Sequence, residues 1–477
     1  MHLAGDSRSQ LNADQAACFT AVTAAISNDP STAQFYLQGP GGTGKTFLYN
    51  TLCHHFRGLG KVVLCVASTG IAGLLLPDGR TAHSRFGIPL QLHDESTCSV
   101  TKNSQAGELL RKVDLIIWDE VPMQHKFAFD AVHRLMCDLR STSEDVLFGG
   151  VPVLFGGDFA QTLPIVTSSR ANTVSACLQH SFMWSRLRKL HLRMNMRVSG
   201  GLQDAEFISW IGRLSYDAAL NTSITLPDYI SQPRDVAALV QAVYPPEVIQ
   251  SAMSGSRVRD INVFTDRAIL TTKNAVVTEL NALILSRTEG SGRVYYSVDT
   301  ADVNDSNNGL DQLPVECLQS LELPSLPPSK LELKIGAPVM LLRNLFPQQG
   351  LCNGTRMIVT GLGRYSLEVT IIGGAFHGQG RVLPRIKFVT NETDMPFILS
   401  RKQFPVRLCF AMTINKSQGQ SFKTVGVDLR SQCFSHGQFY VAVSRTSRVA
   451  GLHVLLPEPD PRTAVNVVYP EVLRDIN

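Results

Sequence analysis

Short, wholly apolar runs recur along this chain, each closed by polar, glycine or proline residues. Phe35-Tyr36-Leu37, Val62-Val63-Leu64-Cys65-Val66, Leu115-Ile116-Ile117-Trp118 and Val153-Leu154-Phe155 are the first four. Such runs have the length and continuity of strands buried on both faces, and the segments between them are long enough for crossover helices. Residues 1–198 therefore predict a parallel α/β lobe. A mixed, helical stretch follows at about 199–256, with helical spacing over 205–214 and 236–243. A second strand block opens at Arg267-Ala268-Ile269-Leu270 and resumes at Val425-Gly426-Val427-Asp428. Between its halves, 331–408 is rich in Val, Ile and Gly and predicts a small β-rich insertion. The predicted divisions are 1–198, 199–330 as connector and start of a second lobe, 331–408, and 409–477 as the remainder of that lobe.

Composition changes this picture little. A chain of 477 residues is too long for one ordinary core, and 44% apolar with 18% charged residues describes a globular protein. No apolar run is long enough to span a bilayer, so no membrane partner is expected. The polar stretch after Met1 does not read as a signal peptide. The ten cysteines form no C-x-x-C pair, which argues against a structural metal and for buried thiols. The formal net charge of +4 is less informative than its distribution. Residues 381–448 hold eleven Lys/Arg against three Asp/Glu, whereas 299–322 hold six acidic and no basic residues. The acidic stretch reads as a solvated loop; the basic one is either a solvated face or a polyanion-binding one.

The sharpest chemical signal lies between the first strand and the helix after it. Gly39-Pro40-Gly41-Gly42-Thr43-Gly44-Lys45-Thr46 matches the phosphate-binding loop pattern and sits where such a loop must sit. Its glycines let backbone N–H groups of Gly39, Gly41, Gly42, Thr43 and Gly44 turn toward phosphates, and the helix N-terminus adds its dipole. Lys45 reaches the β- and γ-phosphates, and the Thr46 hydroxyl is placed for Mg²⁺. The expected ligands are a nucleoside triphosphate, ATP, and Mg²⁺.

Other residues complete a hydrolytic site. The strand 115–118 runs into Asp119 and Glu120, Asp119 for the metal and Glu120 as the base that polarises the attacking water. Gln161, in Gly156-Gly157-Asp158-Phe159-Ala160-Gln161, follows another strand and is placed to face the γ-phosphate. Arg197 and Arg445 are candidate arginine fingers, each able to neutralise charge that spreads over the γ-oxygens. Arg445 belongs to the second strand block, so it is expected to complete the site from another lobe. Gln15, in LNADQ, carries an amide suited to the adenine edge.

LNADQ, GPGGTGKT, ASTGIAGLLLPDGRTAHSRFGIPL, LIIWDE, GGDFAQTLPI, LRMNMR, INKSQGQSF and HGQFYVAVSRTS occur in the order of superfamily one helicases. EVPMQHKFAFDAVHRLMCDLR resembles the signature of the petite integration frequency (Pif) family. KIGAPVMLLRNLFPQQGLCNGTR and NVVYPEVL are similar to its Helitron-encoded branch, although the nuclease with paired histidines and tyrosines that a Helitron transposase carries is not recognisable. The resemblance covers about 11–473. It implies two RecA-like lobes, a small β-hairpin insertion at about 77–105, an SH3-like insertion in the second lobe, and a DNA helicase. Implied too are 5′-to-3′ translocation on single-stranded DNA, unwinding of tailed duplexes, and monomeric basic activity. Repair, recombination, telomere or genome maintenance, or transposon replication are the implied settings, in the nucleus or alternatively the mitochondrion, without an evident targeting signal.

Carried over by motif, Thr69, Gly70, His83 and Phe86 touch the single strand, with Phe86 and His83 offering faces to bases. Asn415, Lys416 and Gln418 contact phosphates or couple them to ATP. A translocase that does not unwind, or an inactive strand-binding remnant, are the other readings.

Overall fold

The computed structural model describes residues 7–166, 169–196, 201–253, 262–302, 314–321, 323, 326–390, 397–458 and 463–476. Two compact units divide the chain. The first comprises 1–227, 432–449 and 460–477; the second comprises 228–431 and 450–459.

The first unit is built on a six-stranded parallel sheet. Its strands are β1 (Gln34–Gln38), β2 (Val63–Ala67), β3 (Arg80–Thr81), β4 (Leu115–Asp119), β5 (Val153–Gly157) and β6 (Arg188–His191). Their order across the sheet is β3-β2-β4-β5-β1-β6. All residues of β1, β2, β4 and β5 are buried, because apolar clusters cover both faces. Tyr36, Ile116, Trp118 and Phe155 point into one cluster, and Phe35, Leu37, Ile117 and Leu154 into the other. Strand alternation thus feeds two cores at once, which is why these strands read as unbroken apolar runs. The helices α1 (Ala13–Asn28) and α2 (Lys45–Gly58) contribute Phe19, Val22, Leu48 and Leu52 to the second cluster. Parallel strands leave all their carboxyl ends on one edge, so the loops after β1, β4 and β5 converge there.

The second unit holds a four-stranded parallel sheet in the order Ala411–Thr413, Arg267–Thr271, Thr424–Asp428, Leu452–Leu455. Inserted between its first two chain-order strands is an antiparallel region. Its largest sheet has five strands, in the order Gly380–Pro384, Ser366–Ile371, Arg356–Leu362, Pro338–Leu341, Val406–Leu408, around a core that includes Leu341, Met357, Leu367 and Phe404.

Four sequence expectations change. Residues 77–105 form no hairpin: β3 pairs parallel with β2 and runs directly into the helix Ala82–Phe86. Thr81 caps that helix, its side chain accepting from the Ser84 N–H. The acidic stretch is not a solvated loop at its start, because Asp299 lies in the strand Val298–Asp302 and is buried; residues 303–313 lie outside the described ones. The antiparallel region also begins before residue 331, with strands Gly292–Tyr296 and Val298–Asp302 pairing to Lys330–Lys334 and Ile398–Gln403. Finally, 432–449 group with the first unit, where the sequence had assigned 409–477 to the second lobe.

Candidate functional site

The loop after β1 has the backbone its glycines predict. Gly42 (φ 94°) and Gly44 (φ 81°) adopt left-handed conformations, which side chains with a Cβ seldom reach. Thr43 Oγ1 donates to the Pro40 carbonyl at 2.9 Å and closes the turn. The Lys45 ammonium, at the first position of α2, donates to the Gly39 carbonyl. Thr46 follows it, half-buried. Gln15 is drawn to the same loop: its Nε2 donates to the Thr43 carbonyl at 3.2 Å, and its Oε1 accepts from the Asn12 N–H at 3.1 Å. Asn12 and Gln15 thereby cap α1 reciprocally.

The two carboxylates at the end of β4 are 6% and 7% exposed. Burial raises the pKa of Asp119, with Lys45 opposing it. Burial, then the adjacent Asp119 charge, lift Glu120 to about 7, against the pull of Lys45 and Arg445. Glu120 also sits at φ 54°, a left-handed conformation that a glutamate rarely holds. That turn separates its side chain from the alternation of the strand. Asp119 Oδ1 is buried without a hydrogen-bond partner among the described residues. A buried carboxylate facing Lys45 and the Tyr49 hydroxyl, with Oδ1 outside hydrogen-bond geometry, suits a cation-binding site. Asp119 and the Thr46 hydroxyl are thus the groups that would hold Mg²⁺.

Gly156 and Gly157 end β5, and both have a packing reason. A Cβ on Gly156 would overlap the Tyr49 hydroxyl, and one on Gly157 the Pro122 ring. Beyond them Asp158, fully buried, collects four donors. Its Oδ1 accepts from Gln38 Nε2 and the Ala160 N–H, each at 3.1 Å. Its Oδ2 accepts from the Tyr440 hydroxyl at 2.9 Å and Gln161 Nε2 at 3.5 Å. The motif was legible in the sequence, but Asp158 and Tyr440 carried no assigned role there, because their pairing spans 282 positions.

Arg445 follows the helix Gln438–Val443 and is 4% exposed. Its Nε donates to the Val441 carbonyl and its Nη2 to Ser444 Oγ, both at 2.9 Å. The guanidinium lies over the phosphate-binding loop: a Cβ at Gly41 would stand 3.9 Å from Nη2. Arg445 therefore groups with the unit that holds Lys45 rather than with the other. Lys45, Asp119, Glu120 and Arg445 are brought together, and Gln161 reaches them through its contact with Asp158; Arg197 lies outside the described residues.

The residues expected to touch a nucleic-acid strand divide. Thr69 caps the helix Gly70–Leu74 by accepting from the Ala72 N–H at 3.2 Å, and Gly70 is buried at its first position. His83 is half-buried, and burial lowers its pKa. Phe86 requires correction as a base-stacking residue. It is wholly buried and stacked on Trp118, ring centroids 5.5 Å apart, so its face is already covered. In the second unit Asn415 and Lys416 lie on the turn Ile414–Ser417, with Gln418 its buried C-cap. Burial, then Arg407, bring Lys416 down to about 8.

A family model described as PIF1-like helicase matches residues 10–219, and one described as DNA helicase Pif1, 2B domain, matches 316–362. The chain is 27% identical over 472 residues to the ATP-dependent DNA helicase PIF1 of Homo sapiens, covering 95% of this chain and 63% of that protein. It spans a little under two thirds of the length of the first curated relatives it matches. A solved structure of two coordinating Pif1 helicases on forked double-stranded DNA is 25% identical, with TM-score 0.66 and 94% of both chains covered. The Pif1 helicase of Candida albicans is 24% identical, with TM-score 0.64 and 98% of both covered. The parallel sheets of the two units are accordingly RecA-like. With these matches, and an intact phosphate loop, carboxylate pair and arginine behind them, the chain is similar to the Pif1-like helicase family over 10–219 and 316–362.

Proposed function

We propose that this chain is an ATP-driven DNA helicase that translocates 5′ to 3′ on single-stranded DNA and unwinds tailed duplexes. The observation that carries the reading is one buried cluster, with Lys45, Asp119 and Glu120 at the phosphate loop and the Arg445 guanidinium over Gly41. Lys45 and Arg445 are the cations that meet the charge developing on the transferred phosphoryl group. Glu120, poised near neutrality, accepts the proton of the attacking water. Thr46 and Asp119 would hold Mg²⁺, which when bound would supply Lewis-acid neutralisation of the phosphate oxygens. Gln15 reads adenine by exchanging the Thr43 carbonyl for the base edge. Thr69, His83, Asn415, Lys416 and Gln418 grip the strand, which makes binding salt-dependent. Repair, recombination or transposon replication are the processes such a motor would serve.

The test is ATP hydrolysis with and without single-stranded DNA, followed by unwinding of duplexes carrying a 5′ or a 3′ tail. Stimulated hydrolysis with unwinding of the 5′-tailed duplex alone is the expected result. Stimulation without unwinding would leave a translocase, unwinding of only the 3′-tailed duplex would reverse the direction, and no hydrolysis would overturn the motor.

A further inference from the structure

The helix Gln438–Val443, with His436 and Gly437 leading into it, meets the segment 157–161 at three points within the first unit. Tyr440 Oη donates to Asp158 Oδ2 at 2.9 Å. His436 Nε2 donates to the Phe159 carbonyl at 2.7 Å while its Nδ1 accepts from the Tyr469 N–H at 2.8 Å. Those two partners define a neutral imidazole with its proton on Nε2, and burial holds His436 down to about 4, so this form persists at any working pH. Gly437, at φ 72°, lies directly on the backbone of Ala160 and Gln161, where a Cβ would be 2.7 Å from the Gln161 carbonyl oxygen. Asp158, His436 and Tyr440 are 0%, 1% and 4% exposed. Gln161 leaves one end of this junction and Arg445 leaves the other, its Nε anchored on Val441 of the same helix.

We propose that Asp158, Tyr440 and His436 are positioning residues that join Gln161 and Arg445 into one rigid element, so that the two reach the transferred phosphoryl group together. The inference rests on the helicase reading. A tyrosine needed only for its ring would be equally served by phenylalanine, and a hydroxyl buried here is costly without its carboxylate partner. Asp158 ties the junction from every side, its four donors coming from the strand end, from its own loop, from Gln161 and from the arginine-bearing helix. A displacement of that helix is transmitted to Gln161 through contacts with little slack.

The experiment is Tyr440→Phe in the full chain, alone and combined with Arg445→Lys, with kcat and KM for ATP measured in saturating single-stranded DNA. The expected result is a kcat roughly tenfold lower with KM within about twofold, and no further loss when the change is added to Arg445→Lys, since both act through one group. A parental kcat in Tyr440→Phe, or losses that multiply in the double variant, would overturn the proposal. Should Tyr440→Phe lower the melting temperature sharply, Asp158→Asn carries the same test. Its amide can still donate to the Tyr440 hydroxyl but turns Gln161 away, so a lowered kcat at unchanged KM supports the lock and a parental kcat overturns it. Absence of ATP hydrolysis by the parent protein would sink the helicase reading instead, and is read separately.

Discussion

Among the buried charges of the described residues, two groups are handled in opposite ways. In the second unit Arg401 and Asp299 are 1% and 0% exposed along their side chains, and every donor is used. Arg401 Nε and Nη2 meet both oxygens of Asp299 at 2.8–3.1 Å, and the remaining N–H groups reach the carbonyls of Leu318, Leu321 and Pro327. In the first unit Asp119 and Glu120 stand side by side with like charge, one raised to about 7 and the other keeping an oxygen without a hydrogen-bond partner. The first arrangement is complete in itself and holds strands together. The second is completed only by something brought to it. Buried charge that the fold leaves uncompensated marks chemistry, whereas buried charge that it satisfies marks architecture.

The comparison can be broken from the functional side first. Arg445→Ala should lower DNA-stimulated kcat by about 10³-fold or more, the scale of an arginine finger, at nearly unchanged stability. A smaller loss in steady-state hydrolysis would return Arg445 to a packing role. Glu120→Gln should bind ATP and hydrolyse it about 10²–10⁴-fold more slowly. In the parent, kcat should fall as pH drops through about 7, because protonation removes the base. Glutamate ionises ordinarily near 4.5, so the folded state holds this proton more tightly than the unfolded chain. The cost of ionising Glu120 in place therefore accrues between 4.5 and about 7 and is complete above. Glu120→Gln should then melt higher than the parent at pH 8 and nearly level with it at pH 4; equal melting at both would remove the buried-charge argument.

On the architectural side, Arg401→Met should cost about 3–5 kcal/mol in chemical denaturation, because it strands the Asp299 carboxylate in the core. The double change Asp299→Leu with Arg401→Met should recover most of that loss, and failure to recover would mean that the carbonyl contacts of Arg401 matter more than its charge. Phe86→Leu should give the smallest effect, about 1 kcal/mol of stability for a conservative core change, with single-strand affinity unaltered. A clear loss of affinity in a binding titration would restore the base-stacking role that its packing on Trp118 denies.

Much of the parallel lobe was legible because its information is local. Apolar runs reported strands covered on both faces, and the spacing of Gly39, Gly44, Lys45 and Thr46 reported a loop whose dihedrals only glycine adopts freely. Asp119 and Glu120 were identifiable from their place after a buried strand. Phe86 was misread because a stacking aromatic and a core aromatic look alike in one dimension, and the difference lies in whether Trp118 packs on it. The acidic stretch was misread for a similar reason: the partner that buries Asp299 is 102 positions away.

The amino-acid sequence alone determined where the phosphate loop, the carboxylate pair and the glutamine lie, since each depends on a few adjacent residues and the strand that presents them. The tertiary structure alone decided that Glu120 turns out of its strand at φ 54°, that Arg445 stands over Gly41, and that Tyr440 closes on Asp158. Those contacts join positions up to some four hundred residues apart. Only the packing that brings such distant segments together, and excludes water from them, gives their charges and hydrogen bonds their strength.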